Sequence, residues 1–311
     1  MKILNRDDAV ELGRPAAVAI GVFDGVHLGH QHLLGELRRI ADEEGLLTVA
    51  VVPDRHPSTI VQPDELPRLL TDLPQRFDLL EAEGVDVVYV LRFDEEQSLQ
   101  PAEAFVREVV VGHIGARVQL GGEDFHFGHR RKGDTAAMAS IGAKLDLKVI
   151  SIPLLHDSDL GAPISAGAIR RALAAGDVAT ANRLLGRPYE VRGIVEHGDA
   201  RGRTIGFPTA NVAVPGAIAL PSDGVYAGWY VGRDGEAHAS AINIGRRPTF
   251  YDENGLLLVE AHLIDFDGDL YGEHARVQVI QRLREEVRFS GVDALAEQLR
   301  SDVEHARSVL S

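Results

Sequence analysis

The chain has 311 residues, 45% hydrophobic and 25% charged, with a net charge of −15 and no cysteine, a size that allows about two globular domains. The acidic balance leaves no basic surplus for a nucleic-acid backbone, and the lack of cysteine excludes disulfides and thiol chemistry and fits a cytoplasmic protein. Charges in Met1-Lys2-Ile3-Leu4-Asn5-Arg6-Asp7-Asp8 fall where a secretory leader needs its apolar core, and no apolar run approaches the ~20 residues of a membrane span.

In chain order, the apolar run 16–20 reads as a buried strand, and Leu33, Leu34, Leu37 and Ile40 recur at helical spacing. Between them lies Gly21-Val22-Phe23-Asp24-Gly25-Val26-His27-Leu28-Gly29-His30, a strand-to-helix turn. Its glycines permit close backbone approaches, and unpaired N–H groups at a helix start suit a phosphate. His27 and His30 stand three residues apart and can share one side of the first helical turn. By residue type alone the pair fits surface decoration, a metal half-site or phosphate chemistry. No third zinc ligand is obvious, and neither a Walker loop nor a Gly-x-Gly-x-x-Gly pattern occurs.

The pattern then alternates to about residue 180: strand 46–52, helix 69–83, strand 86–91, helix 102–111, strands 117–120 and 147–152. About five short strands separated by helices favour a mostly parallel sheet with helices on both faces. Ligands in that architecture bind beyond the carboxyl ends of strands. Three further stretches fall at such ends. Asp54-Arg55-His56-Pro57 follows the second strand, and Gly121-Gly122-Glu123-Asp124-Phe125-His126-Phe127-Gly128 follows a later one. The latter reads equally as a glycine-rich turn with its aromatics alternating in and out of the core. The basic run His129-Arg130-Arg131-Lys132 is either a solvated loop or a phosphate contact. Ile164-Ser165-Ala166-Gly167-Ala168-Ile169-Arg170 is an Ala-rich helix start with Ser165 as a natural N-cap. An Ala-rich helical stretch, 172–185, is interrupted by Gly176 and stopped by Gly186-Arg187-Pro188, which places a domain boundary near Asn182: 1–182 and 183–311.

Beyond it strands follow in succession, at 189–197, 209–214, 224–231, 237–244, 256–265 and 276–283, with turn residues between. Roughly six antiparallel strands without intervening helices suggest a small closed barrel. A final amphipathic helix, 292–310, carries Leu295, Leu299, Val303 and Ala306 on one face and should pack against it. The loop from Gly198 to Phe207 is rich in glycine and arginine, a phosphate suggestion and no more. Glu260 follows an apolar run, where a carboxylate is either an outward strand residue or costly to bury without a role.

The opening stretch resembles, residue for residue, the Gly-x-Phe-Asp-Gly-x-His-x-Gly-His signature of nucleotidylyltransferases, and within them the bacterial FAD synthetase family of bifunctional riboflavin kinase/FMN adenylyltransferases. The resemblance covers nearly the whole chain with two motif sets in order. It implies an α/β, Rossmann-like nucleotidylyltransferase domain followed by a riboflavin kinase-like β-barrel with a terminal helix. In the first half it assigns Gly21, Phe23, Asp24, Gly25, Gly29, Ser165 and Arg170 to ATP, with His27 and His30 stabilising transition-state charge. Asp124 would bond the polar edge of the flavin and Phe127 would stack on it. Arg55 stands where the family has proline, and Ala166 and Gly167 replace a serine and a threonine, removing two hydroxyl donors.

In the second half, Pro208-Thr209-Ala210-Asn211 matches the kinase's Pro-Thr-Ala-Asn. The match places Thr209 and Asn211 on an ATP-bound Mg²⁺, a hard cation that suits oxygen ligands. Gly198, Arg203, Gly206 and Pro208 fall to ATP, and Gly224-Val225-Tyr226-Ala227 and Asn243-Ile244-Gly245-Arg246-Arg247-Pro248-Thr249-Phe250 also match kinase motifs. Glu260 matches the general base, and Arg284, followed by Phe289, the loop near the flavin. Arg282 stands where the family often has phenylalanine.

The function implied is ATP-dependent phosphorylation of riboflavin to FMN, then adenylylation of FMN to FAD with release of pyrophosphate. Riboflavin, FMN, FAD and ATP are the expected partners, with neither nucleic acid nor membrane, and a homo-oligomer is compatible with the chain. Two rivals stand beside it: adenylylation or cytidylylation of another phosphate ester, and a flavin-binding regulatory module with an inactive first half.

Overall fold

Residues 1–5, 8, 12–198, 205–245 and 257–311 are described in a computed structural model. The chain forms two compact units, 1–67 with 71–165 and 68–70 with 166–311. The division falls at 165/166.

The first unit is built on six parallel strands: β1 (Lys2–Asn5), β2 (Ala16–Ile20), β3 (Leu47–Pro53), β4 (Val87–Leu91), β5 (Ala116–Gly122) and β6 (Lys148–Ile152), in the order β1-β4-β3-β2-β5-β6. The edge strand β1 was not among those expected. Alternation divides β2 between two cores: Ala16 and Val18 join Tyr89, Phe105 and Met138 on one face, while Ala17 and Ala19 join Leu34, Leu37 and Leu80 on the other. Helix α1 (Leu28–Glu44) packs on the second face because Leu34, Leu37, Ile40 and Ala41 form a single buried stripe.

Between the strands lie α2 (Ser58–Val61), α3 (Leu73–Ala82), α4 (Glu95–Leu99), α5 (Ala102–Phe105), which runs on in wider turns over Val106–His113, and α6 (Thr135–Gly142). The helix expected from residue 69 begins four residues later. Asp72 caps it by accepting from the Gln75 N–H at 2.7 Å, and proline occupies its first turn. A two-stranded pair, β7 (His156–Asp157) and β8 (Ala162–Pro163), follows β6.

The chain order of the sheet reverses between β2 and β5. Their carboxyl ends therefore open the crevice where ligands of such sheets bind. The 21–30 turn leaves β2 and the 121–128 loop leaves β5, so the topology brings both to that crevice.

The second unit begins with α7 (Ala166–Ala174) and α8 (Val178–Leu185). Six antiparallel strands follow: β9 (Tyr189–Glu196), β10 (Ala210–Val214), β11 (Gly224–Val231), β12 (Ala237–Gly245), β13 (Leu257–Leu263) and β14 (His274–Arg284). They close into a barrel in the order β10-β13-β12-β11-β14-β9. Val212, Val259, Ile242 and Tyr226 point inward and are fully buried. On the outer face α9 (Val292–Leu310) covers Ala227 and Ala241 with Val303 and Ala306. Residues 68–70 belong to this unit because Leu69 bonds both ways along its backbone, its N–H to the Ala217 carbonyl and its carbonyl to the Ala219 N–H. No helix among the described residues is long and apolar enough to cross a membrane.

Candidate active sites

In the first unit, His27 is the residue before α1, in extended conformation with no side-chain cap. The N–H groups of the first turn, Leu28 to His30, thus carry the positive end of a 17-residue helix. The His27 and His30 rings stack with centroids 3.7 Å apart, and Phe23 lies 5.1 Å from His30. A Cβ on Gly29 would come within 3.2 Å of the His27 ring and of the Ile164 carbonyl, so glycine lets the helix start approach both. Burial, then the charges of His27 and Arg76, push His30 well below the ordinary histidine value, leaving it neutral at pH 7. His30 Nδ1 is buried without a hydrogen-bond partner among the described residues.

The turn itself is strained. Phe23 and Val26 take positive φ angles of 50° and 37°, a region that non-glycine residues, and β-branched ones above all, rarely adopt. A buried network holds it. Asp24, 3% exposed, accepts from the Thr71 N–H at 3.1 Å, and the Thr71 hydroxyl accepts from the Gly25 N–H at 3.0 Å. Arg76, 2% exposed, donates to the Thr71 carbonyl and lies 3.7 Å from Asp24. Phe23 and Asp24 are buried and shape the turn. Thr71 and Arg76 were missed by the sequence reading. The only signal for them is a polar pair at the start of a helix some fifty residues downstream.

At the end of β5, Asp124 is exposed. Phe127 is not: it is 7% exposed, packed between Phe105 and Phe125 and hydrogen-bonded through its backbone to Gly133. The half-buried ring of the loop is Phe125, stacked on Phe127 at 5.3 Å. Asp54 is held by the Phe93 N–H at 2.9 Å and by Arg55 at 3.1 Å. The 129–132 run is partly to fully exposed. Ser165 ends the first unit and immediately precedes α7. Arg170 belongs to the second unit, where its Nε donates to the Arg68 carbonyl at 2.7 Å.

In the second unit, antiparallel register places Asn211 of β10 opposite Glu260 of β13, and Glu260 opposite Asn243 of β12. Asn243 in turn faces Val225 of β11, and Val225 faces Arg284 of β14. Directly paired residues share a face, so one outer row carries Asn211, Glu260, Asn243, Val225 and Arg284. Asn211 is 7% exposed, and a Cβ on Gly198 would overlap its carboxamide at 2.2 Å; glycine there leaves room for that side chain. Pro208, Thr209 and Asn211 line a cleft of about 150 Å³ with Phe266 and Tyr271. His262, two residues from Glu260 on the same face, meets the Pro208 carbonyl at 2.7 Å and the Phe207 ring at 5.3 Å, pinning the loop that carries Thr209. A larger cavity of about 740 Å³ is lined by Arg68, Arg170, Ser222, Arg282 and Glu286. Arg203 and the 246–250 stretch lie outside the described residues. Among the described residues no cluster of three His, Asp or Glu could hold a metal by itself.

Comparison with known proteins identifies both halves. A FAD synthetase family model matches residues 10–165, and a riboflavin kinase model matches residues 185–310. A bifunctional riboflavin kinase/FMN adenylyltransferase of Bacillus subtilis is 37% identical over 293 residues, covering 94% of this chain and 91% of the relative. One from Haemophilus influenzae is 37% identical over 94% of this chain and 93% of its own length. One from Escherichia coli is 36% identical over 93% and 91%. A crystal structure from Streptococcus pneumoniae, described as a macrolide-efflux protein, shares the fold with a TM-score of 0.88 at 30% identity, covering 99% of each chain.

Proposed function

The chain belongs to the bifunctional riboflavin kinase/FMN adenylyltransferase family, and we propose that its two reactions are divided between the two sites described above. It phosphorylates riboflavin to FMN and adenylylates FMN to FAD. The observation that carries the division is the register of the barrel, which sets Asn211 beside Glu260 across β10 and β13, next to the cleft at Pro208 and Thr209. In this reading Glu260 takes the ribityl end of the flavin and Arg284 its ring.

In this reading Glu260 accepts the proton of the ribityl 5′-hydroxyl as that oxygen attacks the γ-phosphate of ATP. A bond forms from the hydroxyl oxygen to phosphorus, the bond to the β-phosphate oxygen breaks, and ADP leaves. The cleft beside Thr209 and Asn211 takes the nucleotide. The Thr209 hydroxyl and Asn211 carboxamide offer oxygen donors that suit Mg²⁺, and the phosphates of ATP would complete the shell. Bound there, the ion would supply charge neutralisation at the phosphates.

In the first unit the FMN phosphate attacks the α-phosphate of ATP, and pyrophosphate leaves with the electrons of the broken α–β bond. A phosphate monoester is already ionised near neutral pH, so no strong base is required. The N–H groups of the α1 start and the imidazoles of His27 and His30 donate to the phosphate oxygens as their charge grows. Asp124 bonds the flavin edge, with Phe125 as the adjoining aromatic surface. A cysteine-free chain that consumes ATP and makes a cofactor is assigned to the cytoplasm.

The test is Glu260→Gln in the full chain, with flavins separated by chromatography. Riboflavin phosphorylation should fall about 10²–10⁴-fold, while supplied FMN is converted to FAD at the wild-type rate. Phosphorylation at near wild-type rate would remove Glu260 from the mechanism.

A further inference from the structure

Arg284 ends β14, and strict alternation would place it on the same barrel face as Arg282. The pairing with β11 forbids this. Arg282 faces Tyr226 and Arg284 faces Val225, so two steps along β14 match one step along β11. Tyr226 points into the barrel, fully buried, and its neighbour Val225 points outward. The bulge therefore turns Arg284 onto the outer face, where α9 lies, and Leu283 joins the apolar cluster under that helix.

There the guanidinium is gripped. Its Nε donates to Asp302 Oδ1 at 2.9 Å and its Nη2 to Asp302 Oδ2 at 2.6 Å. Asp302 is 3% exposed, and Gln298, one turn earlier on α9, donates to its Oδ1 at 2.9 Å. Nη1 donates to the Glu285 carbonyl at 2.9 Å, and Phe289 lies 5.8 Å from the guanidinium carbon, under its face. Among the described residues, three of the five N–H donors of this arginine are thus engaged. A bidentate contact on one edge and a ring against one face leave the plane no freedom to turn. A buried ion pair contributes little net stability beyond what an apolar contact would give, whereas an apolar contact could not fix this orientation.

We propose that Asp302 is a positioning residue of the kinase half: through Arg284 it fixes the flavin end of the riboflavin site and sets the KM for riboflavin. The proposal rests on the reading that Arg284 meets the flavin. Gln298 holds the carboxylate from behind, and the bulge at Leu283 delivers the arginine to it.

Asp302→Asn in the full chain keeps the volume of the side chain and removes its charge. The KM for riboflavin should rise about tenfold or more, as for one lost charge-assisted hydrogen bond. The kcat for phosphorylation, the KM for ATP and the adenylylation of supplied FMN should stay near wild type. Riboflavin affinity, read from quenching of its own fluorescence, should weaken in parallel. Gln298→Ala should give a smaller effect of the same kind, and it serves where Asp302→Asn fails to fold. Arg284→Lys keeps the charge without the fork and should also raise the KM. A lowered melting temperature with an unchanged riboflavin KM in Asp302→Asn, or in Gln298→Ala if only that variant folds, would make the pair merely structural and overturn the proposal. Arg284→Ala separates the two levels. An unchanged KM there overturns the flavin role of Arg284 itself, whereas a raised KM there with none in Asp302→Asn overturns only the role of Asp302.

Discussion

The imidazoles of His27 and His30 lie stacked, centroids 3.7 Å apart and planes inclined by 19°. Burial first, and then the neighbouring His27 and Arg76, disfavour a positive charge on His30. In the proposed reaction His30 is therefore a neutral N–H donor. In the unfolded chain it titrates near pH 6.5, above its value in the folded protein. The stability that its neutral form confers is full above pH ~6.5 and is lost as the pH falls from there toward the lowered value. Thermal unfolding of the wild type should weaken between pH 7 and pH 5 more steeply than that of His30→Gln. Parallel pH profiles would show that His30 titrates as an ordinary histidine.

His27→Ala should separate the two activities. The residue faces the start of α1 in the first unit, and the kinase residues all lie in the second. Loss of one donor to developing phosphate charge typically costs about 10²–10³ in rate. FAD formation from FMN should drop by that factor while FMN formation from riboflavin holds. Equal loss of both activities would contradict the assignment of one reaction to each unit.

Asp24→Ala is a stability experiment. It removes the acceptor for the Thr71 N–H and the counter-charge of Arg76, which is 2% exposed. A buried cation left without its partner typically costs about 3–5 kcal/mol. Denaturant titration should show that loss in the first unit. Asp24→Asn, which keeps an acceptor, should lose less. A change within ~0.5 kcal/mol for Asp24→Ala, the range of ordinary surface substitutions, would show that the network does not hold the turn.

Gly198→Ala tests the metal assignment. The new Cβ overlaps the Asn211 carboxamide at 2.2 Å, so the side chain must leave its place. Riboflavin phosphorylation should then need more Mg²⁺ for half-maximal rate, while the Mg²⁺ dependence of adenylylation stays as it was. If the kinase's Mg²⁺ requirement does not move, Asn211 is not a ligand.

Much of this protein was legible in its sequence because the relevant signals are local. The alternating burial of β2, the stripe of Leu34, Leu37 and Ile40, and the glycines and histidines around α1 express covalent geometry within a few residues. The two-part architecture followed from the change from helix–strand alternation to successive strands, and the terminal helix matched its expected span, Val292–Leu310. Asn211 and Glu260 could be named singly.

What the tertiary structure decided are relations between distant segments. That Asn211, Glu260, Asn243 and Arg284 share one row depends on register, and register is fixed only when the barrel closes. Phe127 reads like Phe125 in the sequence; it is buried because Phe105 and the Gly133 backbone cover it. Leu69 leaves the expected helix because Ala217 and Ala219 claim its backbone groups. Arg284 faces Asp302 because the partner strand is one residue short at Leu283, and no pattern within β14 records the length of its neighbour.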